Sequence, residues 1–534
     1  MNADCYPISA LPHISPLFRD YVSGRAETLH PFYSSFPSDT QWMQHPARMD
    51  PQQRQNVVAL LRVQNRDYAA GPATEANLDC LAEGAAAVVT GQQVALFGGP
   101  LLTLLKAATV IRLAADASRA GHPHVPIFWL ASEDHDFDEI NQAVFPHAQG
   151  LQTLRLPHNP GPGKPVGSLL LGDAILPAVE DLQRCLGENS ISQLLASLYT
   201  PSATFSSAFA AFLSRIFSEY GLIVIDASTR PYHALAHSTL RAAIEQADEI
   251  HEALLERSRA LENAGYHAQV LVTGSSSLLF LIDATTGTRN ALKRISKDVW
   301  SAGNRQYSTS ELIAILHATP ERISPNALLR PVMQDTLLPT SVYIGGPAEV
   351  AYFAQSDVVY QRILGHTTPI VPRFSATLVE PKLARLLHRH QLSLTDIFTT
   401  EDALAQRLGA RALPVEGKRK IAAAGNTLDR ELKAVSEWMH SQDAGLGHSA
   451  EIAASKMLYQ MNRLRRLSAT FELQREQSLR RHAEALCRGL FPRNNLQERV
   501  VAGAWFLARP GPPLIDALID SAQPGNCGHY ALRL

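Results

Sequence analysis

Short, wholly apolar runs alternate with longer segments of helical period through the first two thirds of the chain. Residues 85–90, Ala-Ala-Ala-Val-Val-Thr, form such a run and end at a glycine, which predicts a buried parallel strand. After Pro100, Leu101, Leu104, Leu105, Ala108 and Ile111 recur at helical spacing. Residues 125–131 predict a second strand in spite of Pro126 near its start. Strand, glycine-bearing loop, helix and strand in that order make a βαβ unit, the building block of a parallel sheet. Further strands are expected at 220–226, 268–272, 278–283, 341–345 and 369–375. One long helix is expected over 231–263, and another from Ala348 onward. The first eighty or so residues read as mixed and mostly helical, with prolines punctuating the loops.

The pattern changes after Leu383. Residues 428–439 and 450–490 predict long helices, broken by Gly445 and Gly447. Met457, Met461, Leu464, Leu467 and Phe471 follow a spacing close to a coiled-coil seam, which decays where Gln474 and Ser478 replace apolar residues. A helical hairpin packed on itself or on a second copy fits this pattern, and so does a helix lying on the main body. No repeat of solenoid type is present.

Composition narrows the class. The chain has 534 residues, 46% of them apolar and 18% charged, which excludes disorder as its overall state and calls for more than one domain. With 48 basic against 50 acidic residues the formal charge is −2, so no general nucleic-acid footprint is expected. The five cysteines, Cys5, Cys80, Cys185, Cys487 and Cys527, contain no CxxC pair, which speaks against a disulfide scaffold or zinc ribbon and for a reducing cytoplasm. Residues 1–7 show no basic stretch followed by an apolar run, and the most apolar region, 85–115, is interrupted by Gln92, Gln93, Lys106 and Arg112. A soluble protein without a membrane partner is expected.

Three clusters can carry chemistry. Residues 90–100, Thr-Gly-Gln-Gln-Val-Ala-Leu-Phe-Gly-Gly-Pro, join a strand to a helix; backbone amides there suit an anion, although the pattern equally fits a tight turn and matches neither nucleotide fingerprint. Residues 132–139, Ser-Glu-Asp-His-Asp-Phe-Asp-Glu, follow the second strand directly, where α/β sheets bind ligands. There His135 can bind phosphate or act as an acid or base, and Asp134 or Asp136 can hold a metal or an amine; an acidic helix start would look similar. The third cluster runs from Arg330-Pro-Val-Met-Gln-Asp335 to Gly345-Gly346-Pro347 and Glu349, a second strand-to-helix junction that mirrors Gly98-Gly99-Pro100. Arg373 follows a short strand and can pair with a carboxylate or phosphate. Gly161-Pro-Gly-Lys-Pro165 lacks both the spacing and the hydroxyl of a P-loop.

At these residues a resemblance becomes specific. TGQQVALFGGPLLTLLKA at 90–107, PIFWLASEDHDFDEIN at 126–141, LRPVMQDTLLPTSVYIGGPAEVAYFAQ at 329–355, PRFSATLVEPK at 372–382 and LFPRNNLQERV at 490–500 resemble, in order, the cysteine ligases of bacillithiol biosynthesis, the BshC family. Leu102 and Leu105 stand where that family commonly has tyrosine, and Ala348 where it has glycine. The resemblance implies an α/β fold: a Rossmann-like parallel-sheet core with inserted connecting segments and a C-terminal α-helical coiled-coil arm. It implies a core over 1–383, an arm over 384–490 that forms a homodimer, and a segment over 491–534 that returns to the core. The implied reaction joins cysteine to the amine of glucosaminyl malate. ATP, with Mg²⁺, would activate the carboxylate, although no HIGH or KMSKS signature accompanies it.

On this reading His135 stabilises charge in the transition state, and Asp134 and Asp136 orient the amine or Mg²⁺. Thr90, Gly91, Gln92, Gln93, Gly98 and Gly99 meet ligand anions. Asp335 and Glu349 complete a polar wall, and Ser132, Gly345, Gly346 and Arg373 also bind substrate or nucleotide. No resident metal ion can be named. Two rivals stay open: another adenylating or nucleotidyl-transferring enzyme on the same fold, and a non-catalytic scaffold of the thiol pathway.

Overall fold

The computed structural model describes residues 3–24, 26–44, 49–147, 150–509, 513–523, 525 and 528–534; Met1, Asn2 and Cys527 fall outside it. The chain divides into two units, Met1–Thr377 with Glu498–Ala531, and Leu378–Gln497 with Leu532–Leu534.

Two five-stranded sheets organise the first unit. Their strands are β1 (Ala86–Gln92), β2 (His124–Leu130), β3 (Ile223–Ile225), β4 (Ser276–Ile282), β5 (Arg289–Ser296), β6 (Val299–Ala302), β7 (Arg305–Ser308), β8 (Ile323–Pro325), β9 (Thr340–Gly345) and β10 (Ile370–Pro372). The first sheet is parallel and runs β10-β9-β1-β2-β3. Its strands β2 and β9 are buried throughout, and β1 everywhere except Gln92, because helices cover both faces of such a sheet. The chain builds outward from β1 to β3 and later returns to the other side of β1 as β9. The strand order therefore reverses between β1 and β9, which opens a crevice at their carboxyl ends. Helix α1 (Leu102–Arg119) connects β1 to β2 and buries Leu104, Leu105, Ala108, Val110 and Ile111. Helix α2 (Arg330–Leu337) precedes β9, and α3 (Pro347–Ile363) follows it.

The second sheet is antiparallel, ordered β7-β6-β5-β4-β8, and lies in sequence between β3 and β9. The strand expected at 268–272 does not form. The Gln355 side chain satisfies that backbone instead: its Oε1 accepts from Val270 N–H at 2.9 Å and its Nε2 donates to Val270 O at 2.8 Å. The helix expected over 231–263 is three helices, Arg230–Leu235, His237–Glu245 and Ala247–Asn263. Ala236 and Gln246 leave helical geometry between them, and each piece keeps its own apolar side buried.

In the second unit, α4 (Val415–Gln442) and α5 (Ala444–Arg475) form a helical hairpin. Asp443 makes the turn, with extended backbone and a carboxylate that accepts Leu446 N–H at 2.9 Å. Gly445 and Gly447 therefore lie inside α5 and do not break it. Gly447 lets the two helices approach: a Cβ there would lie 1.6 Å from His440 Nδ1. Of the expected seam, Met457, Leu464, Leu467 and Phe471 are exposed, as are Val435 and Trp438 on α4. The four described cysteines are free thiols, and no described helix is long and apolar enough to cross a membrane.

His529, on the strand Gly528–Arg533, is fully buried with Nδ1 2.8 Å from Ser375 Oγ and Nε2 2.8 Å from Thr377 Oγ1. Burial pushes its pKa down to about 4, with Glu498 opposing and Arg373 adding to the shift. The unfolded chain holds this proton below about 6.5, the folded one only below about 4, so stability is lost as pH falls through that window, by about 3 kcal/mol in all. Urea midpoints between pH 7 and 4.5 should therefore fall less steeply in His529→Gln than in the wild type. Equal slopes would contradict the assignment.

Candidate active site

Beyond Leu130, strand β2 runs into Ala131, Ser132, Glu133, Asp134 and His135, which line one side of a cleft of about 470 Å³. The antiparallel sheet supplies the other side through Ser276 and Phe280 on β4 and Arg289 and Lys293 on β5. Gln93, just past β1, and Arg330, at the start of α2, also line it. The cleft thus lies at the carboxyl end of a parallel strand, next to the point where strand order reverses.

Arg289 joins the two sides. Its guanidinium lies 3.6 Å from the centre of the Phe280 ring, donates to Ser324 Oγ at 2.9 Å and Pro325 O at 2.8 Å, and reaches His135 Nδ1 at 3.3 Å. Burial lowers its pKa, while Glu133 and Asp134 oppose that shift. An arginine only donates, so in this contact His135 Nδ1 accepts, and Asp134 Oδ1 lies 3.5 Å from the same nitrogen. Asp134 takes the His135 backbone N–H at 2.7 Å and Gln93 Nε2 at 3.1 Å, and lies 3.8 Å from Arg289. Gln93 also donates to Glu139 at 2.7 Å.

The neighbouring polar residues have settled structural duties. Ser132 is buried and donates to Asp226 at 2.6 Å; Ser206 donates to the other Asp226 oxygen at 2.6 Å. Ser132 therefore braces the turn rather than offering its hydroxyl to a ligand. Asp136, expected to orient an amine or Mg²⁺, is exposed and caps a short helix by accepting Glu139 N–H at 3.3 Å. That is the work of an acidic residue at a helix start.

At the crevice between β1 and β9, Lys106 of α1 is buried and donates to Gly91 O and Glu349, both at 2.6 Å. Burial raises the Glu349 pKa, but Lys106, the Gly346 N–H and the Tyr343 hydroxyl more than offset this and hold the carboxyl below its usual range. Gly346 N–H donates to Glu349 at 2.7 Å, and Tyr343 Oη at 2.7 Å. Arg330 extends the network by donating to Tyr343 Oη at 3.2 Å and Tyr352 Oη at 3.0 Å. Gly91 is tightly enclosed, since a Cβ would lie 3.2 Å from Trp129 O. Thr90 donates to Ile344 O at 2.8 Å and stitches β1 to β9, while Gln92 O accepts Ala131 N–H at 2.9 Å. Gly345 fits against Ile370 and accepts the Arg373 N–H.

Three expectations are corrected by this geometry. The amides of Gly98 and Gly99 do not face a ligand: Gly98 N–H donates to Tyr199 Oη at 2.9 Å and Gly99 N–H to Leu96 O at 3.1 Å. Phe97, Gly98 and Gly99 are all left-handed, and the Phe212 ring lies where a Gly98 side chain would go, so this is a packed turn. Asp335 is no part of a polar wall. It takes hydrogen bonds from Tyr360 Oη at 2.8 Å, Gln334 Nε2 at 3.1 Å and Thr368, and burial raises its pKa despite them. Arg373 spends its charge on buried Glu498 at 2.5 Å.

Sequence reasoning therefore placed Gln93, Asp134 and His135 in the cleft, and Gly91, Gly346 and Glu349 beside it. It assigned no role to Lys106, Arg289, Lys293, Arg330 or the pair Glu133 with His233. Lys106, Glu133 and Arg330 had a visible signal: a charge inside an apolar helix, a member of the acidic run, and the first residue of the third cluster. Arg289, Lys293 and His233 come from distant segments with no local mark.

The comparisons with known proteins agree with this architecture. Residues 1–374 match the family described as Bacillithiol biosynthesis BshC, N-terminal Rossmann-like domain, and residues 376–534 its C-terminal coiled-coil domain. The chain belongs to the BshC family. It is 41% identical over 538 residues to a protein of Koribacter versatilis, covering 100% of both chains. It is 34% identical over 535 residues to one of Solibacter usitatus, covering 98% of each, and 31% identical over 551 residues to one of Salinibacter ruber, covering 98% of this chain and 97% of that one. All three carry the name "Putative cysteine ligase BshC". Family membership makes this chain a ligase of bacillithiol biosynthesis.

Two substitutions separate the roles assigned above. His135→Ala should lower turnover by about two to three orders of magnitude, the usual effect of removing a preorganised donor, while leaving the urea midpoint unchanged. Asp136→Ala should cost about 1 kcal/mol of stability and little turnover. Rate and denaturation measurements on both variants check this, and a reversed pattern would contradict it.

Proposed function

We propose that this cleft forms an amide between the carboxyl group of cysteine and the amine of glucosaminyl malate, with ATP supplying the activation. The observation that carries this reading is the cleft's charge: three permanent cations, Arg289, Lys293 and Arg330, face two carboxylates, Glu133 and Asp134. That excess favours anionic ligands, as a malate conjugate and a nucleotide are, and leaves carboxylates for an amine. The names of the relatives supply the cysteine and the ligase chemistry.

A carboxylate resists an amine until one oxygen becomes a leaving group. Transfer of AMP or a phosphoryl group from ATP accomplishes this, releasing pyrophosphate or ADP respectively. The amine then attacks, loses a proton and expels AMP or phosphate. His135 would donate a hydrogen bond to the oxygen that gains charge during attack. Among the described residues no group of three His, Cys, Asp or Glu is placed to hold a metal ion; Mg²⁺ would arrive on the ATP phosphates, its usual mode of binding. Two copies would pair through the arm, covering exposed Trp438, Leu464, Leu467 and Phe471. Free thiols suit a reducing cytoplasm as the setting.

Purified protein incubated with cysteine, glucosaminyl malate, ATP and Mg²⁺ should yield bacillithiol by mass-resolved thiol analysis, and omission of any substrate should abolish the product. AMP or ADP release then identifies the activation route. Absence of product from folded protein, with exchange of pyrophosphate into ATP dependent on a different amino acid, would move the assignment to another adenylating enzyme. Absence of both, with tight capture of a pathway protein, would favour a scaffold.

A further inference from the structure

Glu133 has a partner that no local pattern announces. His233, on the helix Arg230–Leu235, is completely buried, and its Nε2 lies 3.0 Å from Glu133 Oε1. Its Nδ1 lies 3.2 Å from Pro320 O and 3.1 Å from Ile323 O. Carbonyl oxygens only accept, so Nδ1 carries a proton. Nε2 then faces a carboxylate oxygen, and a bare lone pair there would repel it. A second proton on the pair removes that repulsion, as in an imidazolium beside a carboxylate. Burial lowers the His233 pKa, but Glu133 and the two carbonyls outweigh it and raise it overall.

The other acids of this segment are committed. Asp134 is held by Gln93 and the His135 amide, Asp136 caps a helix, Asp138 takes Asn141, and Glu139 takes Gln93. Glu133 lines the cleft, and among the described residues His233 is its one ion-pair partner. A carboxylate held on one side by a buried cation keeps acceptor sites for a second donor. We propose that Glu133 is the specificity-determining acid that takes the ammonium group of the substrate, and that His233 is a positioning residue holding that carboxylate from behind. This rests on the reading of an amine-bearing substrate given above and assigns the amine to one side chain.

The test is calorimetric titration of the full chain with glucosaminyl malate and with its N-acetylated form, whose amine is masked. Wild-type protein should prefer the free amine by about tenfold or more, the usual strength of a charge-assisted hydrogen bond. Glu133→Gln should reduce that preference to about twofold or less while still binding both forms through their carboxylates. His233→Gln should narrow the same ratio, whereas a purely structural role would weaken both ligands alike. An unchanged preference in Glu133→Gln overturns the inference and leaves the substrate reading intact. Wild-type protein that binds neither form overturns both.

Discussion

Lys106 is a positive charge inside the protein, and the carboxyl edge of the parallel sheet is arranged around it. An ammonium group in such a place is tolerated only when paired and fully hydrogen-bonded. Gly91 O and Glu349 provide this from opposite sides of the strand reversal, so one ammonium group ties the end of β1 to the start of α3. Glu349 is held in turn by Gly346 N–H and Tyr343, and Tyr343 receives a hydrogen bond from Arg330. Removing one member would strand a buried charge, at about 3–5 kcal/mol. The network ends at Arg330, which lines the cleft. Stability and site geometry are thus properties of the same side chains.

The parallel sheet alone does not complete the site. It supplies the turn after β2, with Glu133, Asp134 and His135, and the antiparallel sheet supplies the facing cations. Arg289 belongs to the antiparallel sheet yet reaches the turn of the parallel one, through its contact with His135 Nδ1 and its approach to Asp134. Stacking on Phe280 and the bonds to Ser324 and Pro325 hold the guanidinium within its own sheet, so it meets His135 already oriented.

The sheet core was legible because strands buried on both faces are short apolar runs closed by turns, and 85–90, 125–131 and 341–345 are of that kind. Residues 268–272 have the same look, but Gln355, distant in sequence, takes the hydrogen bonds that a neighbouring strand would. The two Gly-Gly-Pro turns read alike and behave differently. Gly98 and Gly99 are left-handed and sealed by Phe212 and Tyr199, whereas Gly346 presents its amide to Glu349. Residue type alone does not separate these cases, since what lies against the backbone decides them. Asp134 and His135 could be found because they follow a strand directly. Arg289, Lys293 and His233 could not, because their partners come from other segments and no periodicity links them.

The central claim is that substrate lies between the turn after β2 and the facing strands β4 and β5. A crystal structure of the protein with glucosaminyl malate tests it most directly. The account predicts density for the ligand between Asp134 and Lys293, with its amine against Glu133 and its carboxylates toward the cations. Ligand bound elsewhere, with this cleft holding only water, would contradict it.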